Sequence, residues 1–150
     1  MQVRTDSGEI QAHRRMLLEL LLAEQPDVSL REQTTGDDQL LALAREAEAL
    51  AGHLPDWREA GAGGGRGEDR SSPVIRVDHQ ACVLCDRCIR GCNALQHNHV
   101  LTRTGKGHAT RIAFDLDAPM GASSCVSCGE CVAVCPTGAL THAVLHLEQV

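Results

Sequence analysis

The sequence predicts an α+β chain: a small helical unit, a flexible joint, and a cysteine-bearing unit of short strands and helices. Three observations carry that expectation. Helical periodicity is confined to the first fifty residues. All eight cysteines stand beyond residue 81. A run from Gly61 to Pro73 that holds five glycines separates the two.

In chain order, residues 1–8 are polar and lead into a helix over about Glu9–Glu24, with Asp6 or Ser7 as its cap and Pro26 beyond its end. A second helix is predicted over about Asp37–Leu50, where Leu40, Leu43, Ala44, Ala47 and Leu50 share one face, and Gly52 and Pro55 close it. Residues 1–60 thus form the helical unit and 61–73 the linker. Val74–Val77 reads as a short strand. Val100–Arg103 and Ala109–Phe114 read as two strands around the Gly105-Lys-Gly107 turn, and Leu140–Val144 as a closing strand. Strand, Cys run, insert, Cys run, strand is the pattern of an internal duplication.

Composition narrows the chemistry. The 150 residues contain one Trp (Trp57), one Phe (Phe114) and no Tyr, so the hydrophobic core is thin and cohesion must come from elsewhere, such as a metal. The formal net charge of -6 lies wholly in residues 1–72, with 8 Lys/Arg against 14 Asp/Glu; residues 73–150 carry 6 of each. No basic patch invites nucleic acid. The longest aliphatic cluster, Met16–Ala23, is too short for a membrane span and contains Glu19. No signal peptide is recognisable, so the expected location is cytoplasmic, with thiols reduced.

The cysteines carry the site. The first run is Cys82-x2-Cys85-x2-Cys88-x3-Cys92 and the second is Cys125-x2-Cys128-x2-Cys131-x3-Cys135-Pro136, with none left over. A [4Fe–4S] cube takes four thiolates. Ligands at every third residue wrap three of its corners, and the x3 step carries the fourth Cys into a helix and away. In two-cluster ferredoxins that fourth Cys ligates the other cluster. Cluster I is therefore expected on Cys82, Cys85, Cys88 and Cys135, and cluster II on Cys125, Cys128, Cys131 and Cys92. Structural zinc prefers pairs of ligands separated by a longer loop, and disulfides need an oxidising compartment. Pro136 is expected to fix the backbone as it leaves the cluster, and Gly91, Gly129 and Gly138 either to let backbone approach the sulfurs or only to serve turns. His79 reads as solvated or as a hydrogen-bonding neighbour of a ligand, His97 and His99 as insert residues, and Asp86, Arg87 and Arg90 as a solvated face.

Val74–Ala143 resembles the paired [4Fe–4S] region in the large subunit of NAD-linked formate dehydrogenases. It is similar, more distantly, to the corresponding regions of iron-only hydrogenases and of the large iron–sulfur subunit of respiratory complex I. The Cys82–Cys92 run, the Gly-containing insert and Ser127-Cys-Gly-Glu-Cys-Val-Ala-Val-Cys-Pro-Thr-Gly-Ala-Leu140 carry this likeness. Two intact runs favour the formate dehydrogenase type. Val3–Leu22 resembles the stretch before a further cluster of the family, held by one His and three Cys. Its ligand positions fall here on Gln25, Ser29, Glu32 and Asp38, none of them His or Cys, so that cluster is expected to be lost while its helices persist.

The resemblance implies a two-cluster bacterial ferredoxin-like domain over 74–150, with a hairpin insert near Cys92. It also implies partner modules: a molybdopterin-type catalytic domain and an NADH/flavin or hydrogenase module. The chain is then a fragment, a split subunit or a free-standing relative. The expected function is electron transfer through two [4Fe–4S] clusters. A cluster-dependent sensor or assembly protein is the alternative. No open metal site or nucleophile–base pair points to catalysis in this chain.

Overall fold

The computed structural model describes residues 3–49 and 67–143. Helix α1 (Gly8–Ala23) starts where Ser7 Oγ accepts the Ile10 N–H at 3.3 Å, so Ser7 rather than Asp6 is the cap. The expected second helix is shorter and has a companion. Helix α2 (Leu30–Thr34) is capped by Ser29, and α3 (Gln39–Glu46) by Asp38. Gly36, with φ +71, makes the turn between them. Leu22, Leu40 and Ala44 form the small core of this unit. The expected Gly52 and Pro55 stop lies outside the described residues.

Strand β1 (Glu68–Asp69), β2 (Ile75–Asp78) and β5 (Leu140–His142) form an antiparallel sheet in the order β1-β2-β5, with Val77 opposite Leu140. The later part of the expected linker is thus sheet: Glu68 and Asp69 pair with Asp78 and Val77, and Ser72 is buried. Short helix α4 (Arg87–Arg90) runs into a π-helical turn, Gly91–Leu95, which carries Cys92. Strands β3 (Leu101–Thr104) and β4 (Arg111–Phe114) pair antiparallel, with Leu101 opposite Phe114. Helix α5 (Glu130–Ala133) follows the second Cys loop.

The main core holds Ile75, Val77, Ile112, Phe114, Met120 and Leu140, and it also contains Cys82, Cys88, Cys92, Cys131 and Cys135. Cysteine thus takes the place that aromatic residues fill elsewhere.

The two units are bolted together. Arg31, buried in α2, donates to Val132 O at 2.9 Å and forks onto Asp37 at 2.8 and 2.6 Å. The guanidinium and the Thr35 hydroxyl hold the Asp37 carboxyl down at about 2. Gln39 N–H donates to Pro136 O at 2.9 Å, and Gln80 reaches Glu24 O at 3.0 Å. Among the described residues no helix is long and apolar enough to cross a membrane.

Candidate metal centre

Each Cys loop is shaped by alternating backbone handedness. Leu84 (φ 54) and Asp86 (φ 61) flank Cys85, and Ser127 (φ 54) and Gly129 (φ 81) flank Cys128 in the same way. Left-handed residues between right-handed ones curl successive N–H groups into a concavity that suits an anionic cluster. Ser127 N–H, for example, points at Cys125 Sγ from 3.4 Å. A helix starts at the same step in both loops, α4 after Asp86 and α5 after Gly129. The duplication read from the sequence therefore extends to individual φ angles.

The eight thiols line two cavities. One is lined by Cys82, Cys85, Cys88 and Cys135, with Leu84, Ile112 and Leu140 among its walls. The other is lined by Cys92, Cys125, Cys128 and Cys131, with Ile75, Leu101 and Phe114. Their empty volumes, open mouths included, are about 320 and 340 Å3. Cys92 stands with the second run and Cys135 with the first. The helical step after each third cysteine carries the fourth one across.

The donor set fits a polynuclear cluster. No three His, Cys, Asp or Glu side chains among the described residues converge to hold a single ion. Each cavity is lined by four cysteines instead, a number that suits a four-iron cluster. Burial, then the neighbouring thiols Cys125 and Cys128, push Cys131 up to about 12. Burial likewise raises Cys88, helped first by Cys82 and Cys135. Thiolates are costly there unless cations neutralise them, which iron does. Gly91, at the end of α4, lies against Glu130 and Val134 of the second run, so the two cavities are neighbours. Cys85 and Cys128, the second ligand of each run, are exposed.

Several residues differ from expectation. Gly129 does serve its loop. Gly138 instead makes room for the helical unit, since a Cβ there would meet Leu30 N and Arg31 N at 3.3 Å. Gly91 lets the two short helices approach, because a Cβ would meet Glu130 Cγ at 3.1 Å. His79 is buried between β2 and Cys82. The β3–β4 pair lies across both cavities through Ile112, Leu101 and Phe114. At the positions of the cluster expected to be lost, Ser29 Oγ donates to Asp38 at 2.5 Å and caps Glu32 N, while Glu32 pairs with Arg45 at 2.7 Å. These oxygens satisfy one another.

Three residues escaped the sequence reading. Asn98 Nδ2 lies 3.7 Å from Cys128 Sγ. Arg103, on β3, grips the first loop through Leu84 O and Asp86. Buried Thr137 donates to Ala81 O at 2.7 Å and so ties the strand after Cys135 to the residue before Cys82. Nothing local in the sequence marks these contacts, because each spans a long separation. Thr137→Val keeps the shape and orphans the Ala81 carbonyl, so the cluster-loaded chain is expected to lose ~1–3 kcal/mol of stability in denaturant melts. An unchanged midpoint would show that the bond contributes nothing.

Comparison with known proteins agrees with this geometry. Residues 81–139 match the 4Fe-4S dicluster domain family. The match implies two [4Fe–4S] clusters, for which eight cysteines are present. Beyond this domain, the chain is 34% identical over 147 residues to the NADP-reducing hydrogenase subunit HndD of Solidesulfovibrio fructosivorans, an alignment that covers 95% of this chain and 23% of that protein. It is 38% identical over 68 residues to a formate dehydrogenase-like protein of Staphylococcus haemolyticus, covering 45% of this chain and 7% of that one. The crystal structure of an NAD+-reducing [NiFe]-hydrogenase in the H2-reduced state superposes with a TM-score of 0.80 at 27% identity, over 95% of this chain and 58% of that chain. The dicluster chain is thus an iron–sulfur electron-transfer module of the kind found within oxidoreductases, and it spans about a quarter of HndD.

Proposed function

We propose that this chain relays single electrons through two [4Fe–4S] clusters between partner centres of an oxidoreductase complex of the formate dehydrogenase type. Cluster I is held by Cys82, Cys85, Cys88 and Cys135, and cluster II by Cys125, Cys128, Cys131 and Cys92. The observation that carries this reading is the sorting of eight thiols into two fourfold sets, with one member of each run in the other set. When bound, each cluster supplies a site that takes up and releases one electron.

The chain's own residues do the rest. The paired loops hold the clusters as neighbours, β3 and β4 cover them with apolar side chains, and the exposed Cys85 and Cys128 bring each to the surface where a partner can exchange electrons. The β3–β4 pair is read as the hairpin insert of this branch. Residues 1–60 are read as the helical unit of a lost third cluster and 74–150 as the cluster domain, to whose sheet the later part of the 61–73 joint adds β1. A reducing cytoplasm suits the free thiols.

A hydrogenase complex is the second reading. It is favoured by an alignment with HndD that runs over 147 residues, against 68 for the formate dehydrogenase-like protein. Analysis of the complex purified on a tagged chain separates them: molybdenum or tungsten supports the first, and reduction of the complex by hydrogen without either metal supports the second.

The test of the core proposal is anaerobic reconstitution followed by iron and sulfide counts and electron paramagnetic resonance. About eight of each per chain, with two coupled signals and reversible one-electron reduction, is the expected result. Zinc without sulfide, or no reversible reduction, removes the proposal.

A further inference from the structure

The two cavities have the same donors, the same loop conformation and nearly the same size, so ligation does not distinguish them. Charge does. Resting on the two-cluster reading above, we propose that the pair is electrostatically polarised. The site of Cys82, Cys85, Cys88 and Cys135 is reduced first, and Arg90, Arg103 and Glu130 set that order.

Around the first site, Arg87 and Arg90 lie exposed on α4, with Arg90 Nη2 3.5 Å from Cys85 O. Arg103 reaches over from β3 to donate to Leu84 O at 2.5 Å and to Asp86 at 2.6 Å, and its guanidinium feels Cys82 and Cys85. Asp86 offsets one of these three cations, which leaves two positive charges in excess. The duplication allows the same positions to be read in the second run. Arg87 corresponds to Glu130 and Arg90 to Ala133. Asp115 adds a second carboxylate there, accepting from Ser124 N at 2.7 Å and Ser124 Oγ at 2.8 Å, next to Cys125.

The second site therefore has two negative charges beside it. The nearest cations do not offset them. Arg31, on Val132 O, is neutralised by its fork onto Asp37, and Arg111 is paired with Asp117 at 2.7 Å. Asn98, near Cys128 Sγ, is uncharged. The His142 ring, on β5, lies 3.9 Å from where a Cβ on Gly129 would stand.

Each added electron is a negative charge. Nearby cations stabilise the reduced form and nearby carboxylates oppose it. Arg90, Arg103 and Asp115 are exposed and Glu130 is half-buried, so each effect is modest and falls with salt.

The experiment is a potentiometric titration of the full reconstituted chain, followed by electron paramagnetic resonance at low ionic strength, with iron counted for every variant. Two separate one-electron steps are expected. Arg90→Gln lowers the reduced-to-oxidised ratio of the earlier step about threefold; this is a shift of about 28 mV at 59 mV per tenfold. Arg90→Lys, which keeps the charge, leaves the step in place. Glu130→Gln raises the later step by a similar factor, and high salt narrows the gap. Movement of the later step by Arg90→Gln, or of neither step with iron intact, overturns the polarity alone. Fewer than about eight iron in the unmodified chain removes the two-cluster reading and this polarity with it.

Discussion

Cys92→Ala is expected to strip about half the iron from the reconstituted chain, and to take it from the cluster of the second run. Cys92 sits in the π-helical turn that follows α4, and that turn delivers it to the cavity of Cys125, Cys128 and Cys131. With Ala there, the cavity has three thiols for four irons, and its open corner admits water. The first cavity keeps Cys82, Cys85, Cys88 and Cys135 and is expected to keep its signal. The measurement is iron per chain, with electron paramagnetic resonance of the reduced sample beside a Cys135→Ala control, which should show the converse loss. If Cys92→Ala instead erases the signal that Cys82→Ala erases and spares the one that Cys125→Ala erases, each run binds its own cluster and the crossed assignment fails.

This prediction could be made from sequence because cluster ligation is a local rule with a fixed geometric consequence. The x2 spacing makes a loop and the x3 spacing a helical step, whatever lies around them. The same is true of α1, whose end signals, Ser7 and Pro26, sit next to it in the chain. Other features were not legible for the same physical reason. Helix α2 is five residues long, too short for a periodic signal, and is anchored by the Arg31 contact with Val132, 101 positions away. Strand β1 has only Glu68 and Asp69, which read as linker until β2 is present to pair with them. Gly138 looked like a cluster glycine, but its neighbours are the first residues of α2. Where the determinant is a short motif, the sequence shows it. Where it is a partner brought by the fold, it does not.

Removing both clusters is expected to have the larger consequence, the loss of cooperative structure in residues 67–143. Five of the 16 residues of the main core are cysteines, and the strands they support are two to four residues long. Without metal, these thiols enclose two cavities instead of packing against solid clusters, and Phe114 is the one aromatic side chain in that core. Strands this short supply little backbone pairing to hold the sheet, and in small metal domains the binding free energy is folding free energy. The helical unit is affected in turn, because Arg31 and Gln39 lean on Val132 O and Pro136 O. Amide exchange before and after anaerobic chelation is the measurement. Protection at Ile75–Asp78 and Leu140–His142 is expected to fall at least about a hundredfold, since ~3 kcal/mol of lost stability suffices for that. Unchanged protection in the metal-free chain would mean that hydrocarbon packing alone maintains the fold and that the clusters are guests in a preformed scaffold.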